Sequence, residues 1–232
     1  MSDLEELDAG WSRSTPARTV REALLMGVLS PLMDLYTRRT VSGREHFEGL
    51  EPPVVFVANH SSHMDTPVTL RALPGRFRRT TAVAAAADYF YSKRRLAWTV
   101  SLIFGTVPMA RDGRGLDDDS TAHIDALFQQ GWSLVMFAEG TRSRDGSVGK
   151  LRSGAAVLAA QYGLPLMPIH VSGTHDVMPV GHYWMSVPPE RPIPRRRPIE
   201  IRFGAPIHPG STEQRRDVME RVSEFFAEPA SP

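Results

Sequence analysis

The sequence predicts an α/β fold, a single domain with a mostly parallel central sheet flanked by helices. Three observations predict it. Short apolar runs of strand length recur between segments of helical periodicity, the pattern of a parallel sheet with helices on its faces. Helix stop signals fall between these runs, with Gly131 closing one helix and Gly163, with Pro165 beyond it, closing another. A chain of 232 residues, 41% of them hydrophobic, is long enough to bury one sizeable core.

The elements follow in order. Residues 16–36 read as a helix with Pro16 near its start. Residues 53–58 form an apolar strand, followed by a helix over 63–72. Residues 81–86 read as a strand, although their alanines equally suit a helix. Asp117, Asp118 and Asp119 ahead of Ser120 mark a helix start. Residues 133–138 are a strand, 153–162 a helix, and 165–171 and 199–203 further strands. A C-terminal amphipathic helix spans 211–227, capped by Ser211 or Thr212. The basic, proline-rich residues 188–198 read as a loop, and no internal repeat is visible.

Composition excludes several functions. A formal net charge of +1 gives a nucleic-acid partner no global electrostatic support. The absence of cysteine excludes disulfides, a cysteine nucleophile and thiolate metal sites. The acidic first eight residues lack the basic start and apolar core of a signal peptide. No run reaches the ~20 apolar residues that span a bilayer. Two uncharged stretches are shorter. Residues 23–33 lie between Arg18, Arg21 and Arg38, Arg39, and residues 96–110 follow Lys93, Arg94 and Arg95. Basic flanks on short apolar stretches suit a helix lying in a membrane interface. The first stretch is therefore expected to be an N-terminal interfacial helix, with burial in a core as the alternative.

The most informative segment is NHSSHMD at 59–65, where the first strand ends. His60 is of the type that accepts a proton near neutral pH. A carboxylate on its far nitrogen, Asp65, would fix the tautomer and stabilise the imidazolium. Positions five apart on one helix point about 140° apart. The two can meet only if the chain bends between them, and a strand-to-helix turn through Ser61 and Ser62 supplies that bend. The structural alternative is a capping box, Ser62-x-x-Asp65, that merely starts a helix. A metal reading of His60, His63 and Asp65 also exists, but no further ligand cluster supports it.

A second strand end carries Glu139, Gly140, Thr141, Arg142 and Ser143. Glycine, a hydroxyl and an arginine together suit an oxyanion or phosphate cradle, although Glu139 and Arg142 could simply pair in a turn. A third candidate is the apolar run 104–111, which delivers Arg111. Lys150 and Arg152 add positive charge at the next helix start.

Taken together these segments resemble the lysophosphatidate (1-acylglycerol-3-phosphate) acyltransferase family of glycerolipid acyltransferases. Its four ordered motifs correspond to residues 59–65, with the His-x4-Asp signature, 105–111, 137–143 and 164–169, and residues 41–45 resemble the opening strand of the family domain. Ala138 stands where the third motif commonly has proline, which is expected to loosen the turn. The resemblance implies that His60 and Asp65 are catalytic. It implies that Arg111, Glu139, Gly140, Thr141 and Arg142 bind the phosphate-bearing acceptor, and that Pro165 and Pro168 shape the acyl-donor side. It further implies acyl-CoA or acyl-carrier protein as co-substrate, a lysophospholipid acceptor, no metal or other cofactor, and peripheral attachment to anionic lipids on the cytoplasmic face of the membrane. The expected organisation is a tail and membrane-associating helix over 1–40 and an acyltransferase domain over 41–232. The alternatives are the same chemistry on glycerol 3-phosphate or another lysophospholipid, a metal-dependent hydrolase, and a non-catalytic membrane module.

Overall fold

The computed structural model describes residues 8–87, 94–109, 122–186, 196–210 and 213–228. Among them seven strands form one sheet: β1 (Thr37–Ser42), β2 (Val55–Ala58), β3 (Thr81–Ala86), β4 (Thr106–Met109), β5 (Ser133–Phe137), β6 (Leu166–Ser172) and β7 (Arg197–Phe203). Their order is β1-β7-β6-β2-β5-β3-β4. The five strands from β6 to β4 are parallel, whereas β7 runs antiparallel to β6 and carries β1 parallel to itself. The reversed outer pair is a feature that local sequence pattern does not encode.

β2 is buried at all four positions because it lies inside the sheet with helices on both faces. Successive side chains point to opposite faces. Phe56 and Ala58 face one core, and Val55 and Val57 face the other. The longer helices are α1 (Thr15–Leu24), α2 (Ser30–Tyr36), α3 (Asp65–Ala72), α4 (Arg94–Phe104), α5 (Ala122–Gln129), α6 (Gly154–Gln161) and α7 (Arg215–Ala227). The first core takes Met33 of α2 and Val68, Leu70 and Ala72 of α3, with Leu25 from the segment joining α1 to α2. The second takes Ile124 and Leu127 of α5, Ala155, Ala156 and Ala159 of α6, and Val218 and Val222 of α7.

Several boundaries differ from the sequence expectation. β1 runs from Thr37 to Ser42, so the N-terminal helix feeds directly into a sheet edge and residue 40 lies inside a strand. The uncharged stretch 96–110 is not one interfacial segment, because α4 ends at Phe104 and β4 begins at Thr106. α7 starts at Arg215. Ser211, Thr212 and Asp117 to Ser120 lie outside the described residues.

The N-terminal helix is both core and surface. α1 and α2 are joined by a π turn, Leu25–Leu29, in which the Ser30 N–H donates to Leu25 O. One face, with Ala17, Arg21, Leu25, Ser30 and Met33, is buried. The other exposes Val20, Met26, Val28 and Leu35. Arg21 is buried and donates to the carbonyls of Ser12 (2.7 Å), Ser101 (3.1 Å) and Leu102 (3.0 Å), the last two in α4. A cation there satisfies carbonyls at the negative end of that helix. Burial, with help from Arg18 and Arg13, lowers its pKa to about 10, so it stays charged at neutral pH. Arg21 therefore does not face a membrane, contrary to its expected part in a basic flank. Arg78 pairs with Glu22 and Arg71 with Asp34, each at 2.5 Å, and these pairs tie the helix to the domain.

Leu25→Ala is expected to cost about 2–5 kcal/mol, the range for emptying a buried leucine site. Val28→Ala, at a position 56% exposed, should change stability by no more than about 0.5 kcal/mol. Urea unfolding of both variants checks this, and equal small effects would mean that the helix contributes no core.

Candidate active site

His60 follows the last residue pair of the β2 ladders, and four contacts fix it. Its backbone N–H donates to Glu139 Oε1 at 2.8 Å. Its carbonyl accepts the Ser143 N–H at 2.8 Å. Its ring stacks on Phe137, centroids 3.9 Å apart and planes 19° apart. Its Nδ1 lies 2.9 Å from Asp65 Oδ2. The side chain is 17% exposed and lines a cavity of about 1240 Å³. With Nδ1 taken by the carboxylate, Nε2 is the ring nitrogen left to accept a proton from a molecule in that cavity.

Asp65 is fully buried at the start of α3. Oδ2 accepts the backbone N–H groups of Ser61 (2.6 Å) and Ser62 (2.8 Å) as well as meeting His60. Oδ1 accepts the Thr174 hydroxyl at 2.5 Å. The chain bends at Ser61 and Ser62, as the five-residue spacing requires. The capping box takes an unexpected form: Ser62 Oγ accepts Met64 N–H (3.1 Å) rather than that of Asp65. The catalytic and capping readings are therefore served by one carboxylate.

The neighbouring strand ends are locked to this turn. Asn59 is buried and pairs both ways with Val171 of β6, donating to its carbonyl (2.8 Å) and accepting its N–H (2.7 Å). Ala138 donates its N–H to Ala58 O at 2.8 Å. That corrects the expectation of a looser turn, since alanine supplies a ladder bond that proline lacks.

The second motif cluster divides. Gly140, Thr141 and Arg142 line the cavity together with Lys150 and Arg152. Gly140 has φ +68°, and a Cβ there would lie 2.8 Å from Arg152 Nε, so the close approach is made by a guanidinium of this chain. Glu139 is buried and holds two backbone groups, His60 N–H on Oε1 and Gly149 N–H (3.0 Å) on Oε2. In the structure it is a clamp between two loops, and a carboxylate offers no donor to a phosphate. Arg111 lies outside the described residues. Among the described residues no group of three or more His, Asp or Glu is placed to hold a metal ion. His63 is exposed and lies on the cavity wall.

The family model for acyltransferases matches residues 38–172, more than half of the chain. The chain belongs to the acyltransferase family. It is 30% identical over 146 residues to a chloroplastic 1-acyl-sn-glycerol-3-phosphate acyltransferase of Brassica napus, a match covering 63% of this chain and 40% of the relative. It is 32% identical over 140 residues to the human 1-acyl-sn-glycerol-3-phosphate acyltransferase alpha, covering 60% and 47%. The matches thus span less than half of these relatives' own lengths. The fold matches the crystal structure of a 1-acyl-sn-glycerophosphate acyltransferase from Thermotoga maritima with a TM-score of 0.60 and 20% identity, over all of this chain and 85% of that one. In this family member the match begins inside β1, consistent with a strand that starts before residue 41.

Sequence reasoning missed Thr174 and the clamping role of Glu139. The available signal for Thr174 was its place just after a third apolar strand, behind Ser172 and Gly173.

Desolvation, at the cavity wall for His63 and by burial for His170, holds both below the usual imidazole range, reinforced by Arg142 and His60 for the first and by Arg202 for the second, while Asp65 opposes the shift at His63. The unfolded chain then binds more protons than the folded one just below the ordinary value of 6.5. The associated stability is present above that pH and is lost as pH falls below it. The melting temperature should drop between about pH 7 and pH 5, bracketing the imidazole range, and His63→Gln/His170→Gln should shrink the drop. An unchanged drop in the double variant would place the acid sensitivity elsewhere.

Proposed function

We propose that this chain transfers a fatty acyl group from a thioester, acyl-CoA or acyl-carrier protein, to the free hydroxyl of 1-acylglycerol 3-phosphate, yielding phosphatidate. The observation that carries the reading is His60, held on its backbone, ring face and Nδ1, with one edge on a cavity that is apolar on one side and basic on another. Leu29, Leu32, Val100 and Phe104 form apolar wall, and Arg142, Lys150 and Arg152 form the basic part. The names of the relatives support the choice of acceptor.

In this reading Nε2 of His60 removes the proton of the acceptor hydroxyl as its oxygen attacks the thioester carbonyl carbon. Asp65 holds the imidazole and stabilises the imidazolium. The tetrahedral intermediate collapses, the C–S bond breaks, and the proton passes from His60 to the departing thiol sulfur. The planar guanidinium of Arg142 suits the acceptor phosphate, and Arg111 is proposed for the same task. The sequence has no cysteine and no Gly-x-Ser-x-Gly elbow, which favours direct transfer over a covalent acyl-enzyme.

The acceptor is a membrane lipid, so we place the protein peripherally on the cytoplasmic face of an anionic bilayer. Among the described residues no helix is long and apolar enough to cross a membrane. Val28, Leu35, Trp98, Tyr183 and Trp184 are exposed, and the last two line the cavity. Arg38, three residues beyond Leu35, is also exposed, and each basic residue near an anionic surface is worth about 1 kcal/mol.

Thiol release from acyl-CoA with 1-acylglycerol 3-phosphate, glycerol 3-phosphate and other lysophospholipids tests the acceptor. His60→Ala and Asp65→Asn should lower turnover by about 10²–10⁴-fold in folded protein. Near-normal turnover of His60→Ala would sink the mechanism.

Arg142→Ala should raise the acceptor KM more than the acyl-CoA KM. An effect confined to acyl-CoA would reverse the assignment of the two sides.

Val28→Glu/Leu35→Glu should reduce co-sedimentation with anionic vesicles without lowering the melting temperature. Retained binding by that folded variant would exclude this helix face as the anchor.

A further inference from the structure

We propose that Thr174 is a positioning residue for the His60–Asp65 pair, its hydroxyl setting the plane of the Asp65 carboxylate so that Oδ2 meets His60 Nδ1. The proposal rests on the reading of His60 as the base.

The carboxylate is held unevenly. Oδ2 takes Ser61 N–H, Ser62 N–H and His60 Nδ1. These bonds hold one oxygen in place, but the torsion that swings the other is soft in aspartate. Oδ1 meets the Thr174 hydroxyl at 2.5 Å, inside a region where both residues are 0% exposed. A buried carboxylate oxygen without a donor is disfavoured. Removing the hydroxyl leaves Oδ1 to turn toward another donor, and Oδ2 moves with it.

The hydrogen positions can be assigned along this chain of hydroxyls. Asp65 Oδ1 can only accept when ionised, so Thr174 donates to it. Ser61 Oγ, 3.3 Å from Thr174 Oγ1, then donates to Thr174. Thr174 is therefore polarised from behind by a residue of the catalytic turn itself.

Thr174 is in turn fixed by the sheet. Gly173 before it has φ +80°, and a Cβ there would stand 2.3 Å from the carbonyl oxygen of Pro198 in β7. Only glycine lets the turn press this close against that strand. Four residues on, Met178 O accepts the Ser62 hydroxyl at 2.7 Å. The segment after β6 thus grips the catalytic turn through Thr174, His175 and Met178, and Thr174 is the residue that reaches the carboxylate.

The test uses the full chain, acyl-CoA and 1-acylglycerol 3-phosphate, with kcat, both KM values and the kcat–pH profile measured for Thr174→Val and Thr174→Ser. Thr174→Val is nearly isosteric but has no donor. It should lower kcat by about 10–100-fold, the scale found when a group that orients a histidine ligand is removed, with both KM values little changed. The acid limb of its profile should move to lower pH, because the imidazolium loses the carboxylate aimed at it. Thr174→Ser should restore most of the rate and the limb. Parent-like kcat in Thr174→Val overturns the proposal, as does an equal loss in both variants with the limb unmoved. If Thr174→Val melts below the assay temperature, Thr174→Ala against Thr174→Ser makes the same comparison. His60→Ala separates the two claims. Turnover surviving in it fails the reading of the site, whereas an inactive His60→Ala beside a fully active Thr174→Val fails only the role of Thr174.

Discussion

The carboxylate of Asp65 is the constraint on which the site depends. It is fully buried, and it closes the strand-to-helix turn by accepting two backbone N–H groups while it faces His60 Nδ1. An anion at the first residue of α3 also sits at the favourable end of that helix dipole. Under the proposed mechanism, folding and chemistry share one group. A substitution that removed its charge would disturb the turn and the histidine together, and melting temperature and turnover would have to be read side by side to separate the two.

Around this group, the sheet brings remote segments to a common rim. Ligand sites in open α/β sheets form at the carboxyl ends of strands, and here the ends of β2, β5 and β6 each contribute. β2 delivers His60, β5 delivers Phe137 and the Glu139 clamp, and β6 delivers Thr174. The Asn59–Val171 pair extends the β2–β6 ladder beyond its last register pair, Ala58 and Ile169. An amide side chain there stands in for one more residue of strand. The Ala138 N–H does the same between β5 and β2.

What was legible in the sequence was local. His60 and Asp65 are five residues apart, so turn geometry alone restricted their arrangement. The central apolar strands were legible because burial on both faces leaves an unbroken hydrophobic run. The clamping role of Glu139 was not legible, because its partner His60 is 79 positions away. Thr174 is 109 positions from Asp65, and no periodicity links them. The direction of β7 is set by pairing with β6, again a non-local fact. The N-terminal helix was expected either to bind lipid or to pack in the core. It does have a core face, and its outward residues are apolar as well, which composition could not resolve.

The π turn at Leu25–Leu29 has a further consequence for how the helix meets the cavity. Along α1 the buried residues Ala17, Arg21 and Leu25 are spaced by four; the next is Ser30, five on. One added residue shifts the phase of everything after it by roughly 100°, the rotation per residue of a helix with 3.6 residues per turn. Met33 takes the seam, Asp34 reaches Arg71, and Leu29 and Leu32 turn onto the cavity wall. In an uninterrupted α-helix the seam would continue through Val28 and Leu32, and the wall would lose Leu32. A length change of one residue here, leaving every contacting side chain intact, would rewrite the shape of the chamber in front of His60.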